Sequence, residues 1–87
     1  MSMTFDDLSK LEPRLEPLLQ EAKTQHTTLP TYRKRVRYWY KVLKPKMFGL
    51  VGMGSKHPDQ RLHTSAAYDT AYSELYGAVT GEYLVTK

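Results

Sequence analysis

The stretch from Tyr32 to Leu43, Y-R-K-R-V-R-Y-W-Y-K-V-L, limits what this chain can fold into more than any other. It is too polar for a buried strand and lacks a two-residue alternation. Placed on a helix of about 100° per residue, it sorts into two stripes. Tyr32, Val36, Trp39 and Leu43 fall on one face. Arg33, Arg37, Lys41 and Lys44 follow nearly the same spacing about a third of a turn away, with Lys34 beside them. The stretch predicts one helix with an apolar stripe facing a core and a basic stripe facing outward.

The charge layout sharpens that reading. The chain has 87 residues and a formal net charge of +4, but the charge is uneven. Residues 1–30 hold three Lys/Arg against five Asp/Glu, residues 31–62 nine against one, and residues 63–87 one against three. The positive field is local to the middle third. Such a field attracts nucleic acid, an acidic protein face or an anionic membrane surface.

Length and composition narrow the classes. Eighty-seven residues predict one domain with one modest core and little room for a deep cleft. There is no cysteine, which removes disulfides, thiolate metal sites and cysteine nucleophiles and suits a reducing, cytoplasmic setting. No apolar run approaches the ~20 residues of a membrane span. The first residues, M-S-M-T-F-D-D, are acidic and do not form a secretory signal.

The flanking segments also read as helices. Thr4-Phe5-Asp6-Asp7 has the form of a capped helix start, with Asp7 three residues after Thr4. Phe5, Leu8, Leu11, Leu15, Leu18 and Ala22 continue at three- and four-residue steps. Pro13 and Pro17 break that series in the small tandem L-E-P-R-L-E-P. The expectation is a helix from about Phe5 to Leu11 and a second from near Pro13 to near Gln25, with a single kinked helix as the alternative. His26 to Thr31 is the connection, and Thr28 or Thr31 caps the basic helix. Pro45 is expected to stop that helix at about Lys44.

Residues 46–63 show no helical period and hold Gly49, Gly52 and Gly54, so a glycine-rich loop is expected, with a helical turn from Pro58 to Leu62 as an option. Thr64 or Ser65 would cap a last helix ending at Gly77 or Gly81. In it Tyr68, Tyr72 and Tyr76 stack at four-residue spacing beside Ala71, Leu75 and Val79. Residues 82–86 read as a short extended tail. The fold expected is a mainly all-α bundle of three to four helices. Its core is expected around Leu8, Leu11, Leu15, Leu18, Val36, Trp39, Leu43, Ala71, Tyr72 and Leu75.

Chemistry is harder to find. Gly49 to Lys56 lacks the spacing of a phosphate-binding P-loop and follows a helix rather than a strand. At most, backbone N–H groups from Gly52 to Ser55 with Lys56 and His57 could cradle an anion. His57, Asp59 and His63 are too loosely spaced for a metal site, so no metal or cofactor is expected. None of Ser55, Ser65 and Ser73 lies in a G-x-S-x-G elbow. Asp69 and Glu74, five apart, make a poor acid–base pair. The sequence therefore predicts a binding protein, not an enzyme. The leading expectation is that Arg33, Lys34, Arg37, Lys41, Lys44, Lys46, Lys56 and Arg61 engage a nucleic-acid backbone or another polyanion. Tyr38 and Tyr40 would interleave and stack on bases. The alternative is a protein-interaction or inhibitor module that docks the basic helix and an apolar loop (Phe48, Leu50, Val51, Met53, with Tyr38 and Tyr40) on an acidic partner. Against that stands the prospect that these apolar loop residues bury themselves on the core.

Overall fold

The computed structural model describes residues 4–51 and 65–82. Four helices account for nearly all of them: α1 (Phe5–Leu11), α2 (Leu15–Thr28), α3, which runs through three consecutive pieces, and α4 (Ser65–Thr80). The pieces of α3 are Tyr32–Tyr38, a π-helical turn Trp39–Leu43, and Lys44–Leu50. The all-α bundle expected from the sequence is the fold. The glycine-rich loop from Gly52 onward, the optional turn at Pro58 to Leu62, the Thr64 cap and the tail beyond Glu82 lie outside the described residues.

The two short helices follow from their ends. The Thr4 hydroxyl accepts from the Asp7 N–H, and the Asp7 carboxylate accepts from the Thr4 N–H, each at 3.2 Å. This reciprocal capping box satisfies two free donors of α1. The helix stops at Glu12 because Pro13 disfavours helical angles in the residue before it. Glu12 is buried, and its carboxylate receives a two-point contact from Arg14 at 2.8 and 2.9 Å. A buried charge without such a partner would be strongly destabilising. Pro13 and Arg14 form the turn, so α2 begins at Leu15, two residues later than expected, and runs three residues beyond Gln25. Pro17 sits in its first turn, where a missing N–H removes no helical bond. The chain is thus split in two and not kinked. The split also turns Leu11 outward: it is 54% exposed and leaves the expected core.

Pro45 does not stop α3. Proline lacks an N–H, and its ring collides with the carbonyl four residues back. The π turn lies just where this would happen. Within it the Lys44 N–H donates to the Trp39 carbonyl, five residues back. The ladder is already widened there, and the helix continues to Leu50, ending with the Val51 N–H bonded to the Met47 carbonyl at 2.7 Å. Lys46 to Leu50, expected in the loop, are therefore helical.

The same turn keeps the core face aligned. Trp39, Leu43, Met47 and Val51 are fully buried and recur every four residues. On a regular helix each such step drifts about 40°. One extra residue in the π turn takes back about 100° of that drift. Val51, expected as part of a docking surface, is instead inside the core.

In α4, Ala67, Ala71, Leu75, Ala78 and Val79 are buried. Their small side chains let α2 pack closely, and the α2–α4 contact is the most extensive in the bundle. The helix ends at Gly81, whose φ is +80°. Phe5, Leu8, Leu15, Leu18, Leu19 and Ala22 complete one continuous core around Trp39. Val36 is half-buried and Tyr32 is 47% exposed, so the upper end of the expected apolar stripe lies at the edge of the core.

Candidate polyanion-binding surface

Thr31 starts α3 by accepting from the Lys34 N–H at 3.2 Å. From there the helix turns its core stripe inward and leaves three other faces. The outward crest carries Arg33, Arg37 and Lys41, with Lys34 on its shoulder. All four are exposed. None of their side chains forms an ion pair or hydrogen bond within the described residues. Four residues along a helix rise about 6 Å, so the crest is a row of cations at regular intervals. An internal pairing of this row with the acidic first helix does not occur among the described residues. There Asp7 caps its own helix instead.

The remaining basic side chains are employed differently. Arg35 donates through Nε to the Leu29 carbonyl at 3.0 Å and fixes the α2–α3 corner. Lys46 donates to both carboxylate oxygens of Glu21, at 3.1 and 3.3 Å. Lys44 does not complete the crest, because the π turn carries it onto the flank facing α4. There its Nζ lies 5.1 Å from the Tyr40 ring centroid and 5.8 Å from that of Tyr72. Lys56, Arg61 and Met53 lie outside the described residues.

The flank facing α2 is a shallow groove of about 320 Å³. Leu29, Tyr38 and Val42 line it, and Lys34, Arg37 and Lys41 form its basic side. Tyr38 donates its hydroxyl to Glu21. That bond, with Lys46, holds the Glu21 carboxyl below its usual value, while burial and Glu21 push the Tyr38 phenol up to about 12. Tyr38 is thus committed to the α2–α3 contact and lies apart from Tyr40, its expected partner in base stacking.

A consequence can be measured at acid pH. A depressed carboxyl pKa contributes stability that is full above the unfolded value of 4.5 and lost as pH falls through the folded value. Tyr38→Phe removes the principal cause of the depression. The variant should be less stable than the parent by about 1 kcal/mol near neutrality, given the partial exposure of the pair. Urea midpoints of the two proteins should converge below pH 4.5. A gap independent of pH would mean that the hydrogen bond contributes nothing through Glu21.

The flank facing α4 is aromatic. Tyr68, Tyr72 and Tyr76, of which Tyr72 is among the expected core residues, are half-buried at the core edge and joined to three exposed rings of α3. Tyr32 meets Tyr76 hydroxyl to hydroxyl at 3.3 Å. Tyr40 adjoins Tyr72, whose hydroxyl raises the Tyr40 pKa. Phe48 lies 5.8 Å from Tyr68, ring centre to ring centre. Behind them Trp39 meets Tyr72 and Tyr76 edge-on at 4.9 and 5.8 Å. The antiparallel register that makes these pairs is tertiary, and no local signal announces it. Of the docking residues expected from the sequence, Tyr40 and Phe48 are exposed, at 51% and 42%, and Leu50 is half-buried.

Among the described residues no group of three His, Asp or Glu is placed to hold a metal ion, and no helix is long and apolar enough to cross a membrane. The surface offers charge, rings and a shallow groove. No family model, no curated protein and no solved structure matches this chain.

Proposed function

We propose that this protein is a small non-enzymatic binding module whose α3 crest engages the backbone of a nucleic acid or a similar polyanion. The observation that carries the reading is the row Arg33, Lys34, Arg37 and Lys41, exposed and without ionic partners among the described residues. Folding leaves these cations side by side without neutralising them, and a polyanion supplies the missing charge while releasing its own counterions. Lys44 contributes to the field from the flank, Lys46 adds less because it is paired with Glu21, and Lys56 and Arg61 add to it in sequence. Backbone contact of this kind carries no base specificity by itself. A reducing, cytoplasmic setting suits the cysteine-free chain.

Electrophoretic retardation across salt concentrations tests this. Affinity should fall steeply with salt, and Arg37→Ala or Lys41→Ala should each lower the log–log slope by about one unit. Lys46→Ala should lower it less, because Glu21 already neutralises Lys46. Binding that ignores salt, or no binding at low salt, would remove the nucleic-acid reading.

The groove between α2 and α3 favours a second reading. An apolar floor beside three cations fits an acidic segment of a partner protein, which would make the chain an interaction or inhibitor module. Such a partner would anchor an apolar side chain against Leu29 and Val42.

A further inference from the structure

We infer that the polyanion is single-stranded nucleic acid, with its phosphates on the crest of α3 and its bases against the aromatic flank beside it. This deepens the polyanion reading and rests on it. Three large aromatic side chains stand open on one line of α3: Tyr32, Tyr40 and Phe48, at 47%, 51% and 42% exposure. They are eight residues apart, a step that advances about 12 Å and on a regular helix turns about 80°; it is the contacts with Tyr76, Tyr72 and Tyr68 that draw all three to the α4 side. Scattered exposed aromatics are ordinary, but a regular line of them along a basic helix is not expected from folding alone.

The line is held in place from behind. Tyr76, Tyr72 and Tyr68 back the three rings in antiparallel order, and Tyr72 and Tyr76 stack on each other at 5.9 Å with planes 25° apart. Trp39, fully buried, locks that pair from the core side. Rings fixed before binding lose little side-chain freedom on contact with a ligand. Tyr40 keeps half its surface open even with Lys44 over its ring. Lys44 places one more cation inside the aromatic line.

Crest and line belong to one helix, whose diameter with side chains is about 10–12 Å. Tyr40 and Lys41 are neighbours in sequence and point to adjacent faces. A nucleotide whose phosphate meets Lys41 or Arg37 therefore has its base on the Tyr40 side. A duplex cannot use the aromatic line, since its base faces are buried in the stack. A single strand can, because every base has a face to offer, and a basic track flanked by aromatic rings serves single strands without regard to sequence. An acidic protein segment would meet the cations equally well but gains less from flat rings at regular intervals.

Fluorescence anisotropy distinguishes the cases, with a labelled 20-nucleotide mixed-sequence DNA strand and the matching blunt duplex at the same salt concentration. The single strand should bind at least about tenfold more tightly. Tyr40→Leu/Phe48→Leu, which removes rings without removing charge, should weaken single-strand binding at least about tenfold and change duplex binding less than about twofold. Tyr40→Phe, which keeps the ring, should bind as the parent does. Circular dichroism and thermal melting of each variant check that the helices are intact; Tyr40 and Phe48 lie outside the buried core, so they should be. Equal loss on both ligands, or no loss on either, overturns the aromatic role and leaves the polyanion reading standing. No binding of either ligand at low salt overturns both. Displacement of the strand by a Glu-rich amphipathic peptide whose own binding needs Tyr40 and Phe48 assigns the line to a protein partner and also overturns the inference.

Discussion

Trp39→Ala should destabilise the fold by about 3–5 kcal/mol. For a domain of this size that is a large share of the whole, since folded chains hold only about 0.05–0.15 kcal/mol per residue. Trp39 is fully buried and is the largest side chain in the core. It sits at the start of the π turn, where α3 is widened, and braces Tyr72 and Tyr76 edge-on. Removing the ring therefore opens a cavity at the centre of the bundle and loosens the back of the aromatic flank. A milder variant isolates one part of this. The indole Nε1–H is buried with no hydrogen-bond partner among the described residues. An unpaired buried donor is itself unfavourable, so Trp39→Phe loses ring volume but removes that penalty. It should cost less than half of what Trp39→Ala does. Urea denaturation measures both, and the single tryptophan reports directly: native emission should be blue-shifted and move red on unfolding. Native emission like that of tryptophan in water would place the ring outside the core and invert the orientation of α3.

The local signals in this sequence were legible and the tertiary ones were not. Thr4 with Asp7 reads directly from spacing, while the cap at Thr31 and the glycine end at Gly81 were each one of two local candidates, all acting within one helical turn. Pro45 misleads because the rule against helical proline assumes a regular ladder. The ladder here is irregular, and what holds it so is the burial of Leu43, Met47 and Val51 beyond it. Their four-residue repeat was present in the sequence, but only a widened turn keeps it on one face. The crest cations Arg33, Arg37 and Lys41 were legible because they precede or lie within the turn. Lys44 was misplaced because it follows. Lys46 was read as free because its partner, Glu21, lies on another helix, 25 residues away. The aromatic flank escaped for the same reason. Tyr68, Tyr72 and Tyr76 share a face with Leu75 and Val79, and only the register against Tyr32, Tyr40 and Phe48 draws them to the surface.

The unpaired crest bears on stability as well as on binding. Like charges at four-residue spacing repel by a few tenths of a kcal/mol per pair. Arg33, Arg37 and Lys41 form two such pairs in the isolated protein. Folding tolerates this modest strain because the opposite face of the same helix carries Trp39 and Leu43 into the core. If the proposed polyanion binds there, relief of this repulsion is part of its binding free energy, and the ligand should stabilise the fold by mass action.

Gly81→Ala should destabilise the protein by about 2 kcal/mol, enough to lower Tm by roughly 8–16 °C in a domain of this size. Two effects add. The φ of +80° lies in the left-handed region, where a side chain costs about 1–2 kcal/mol. A Cβ built there would also stand 2.7 Å from Cε1 of His26, far inside contact distance. The imidazole would have to swing away, and in doing so it gives up the hydrogen bond that its Nδ1–H donates to the Val79 carbonyl at 3.1 Å. That bond ties the end of α2 to the last turn of α4 and is worth about 0.5–1.5 kcal/mol. Reduced freedom of the unfolded chain offsets part of the sum. A double-mutant cycle separates the two terms. In a His26→Ala background the ring is gone, and Gly81→Ala should then cost only the backbone strain, about 1 kcal/mol less than in the parent. An identical cost in both backgrounds would mean that His26 does not pack over Gly81 in solution, and that the α2–α4 corner is held by the glycine alone.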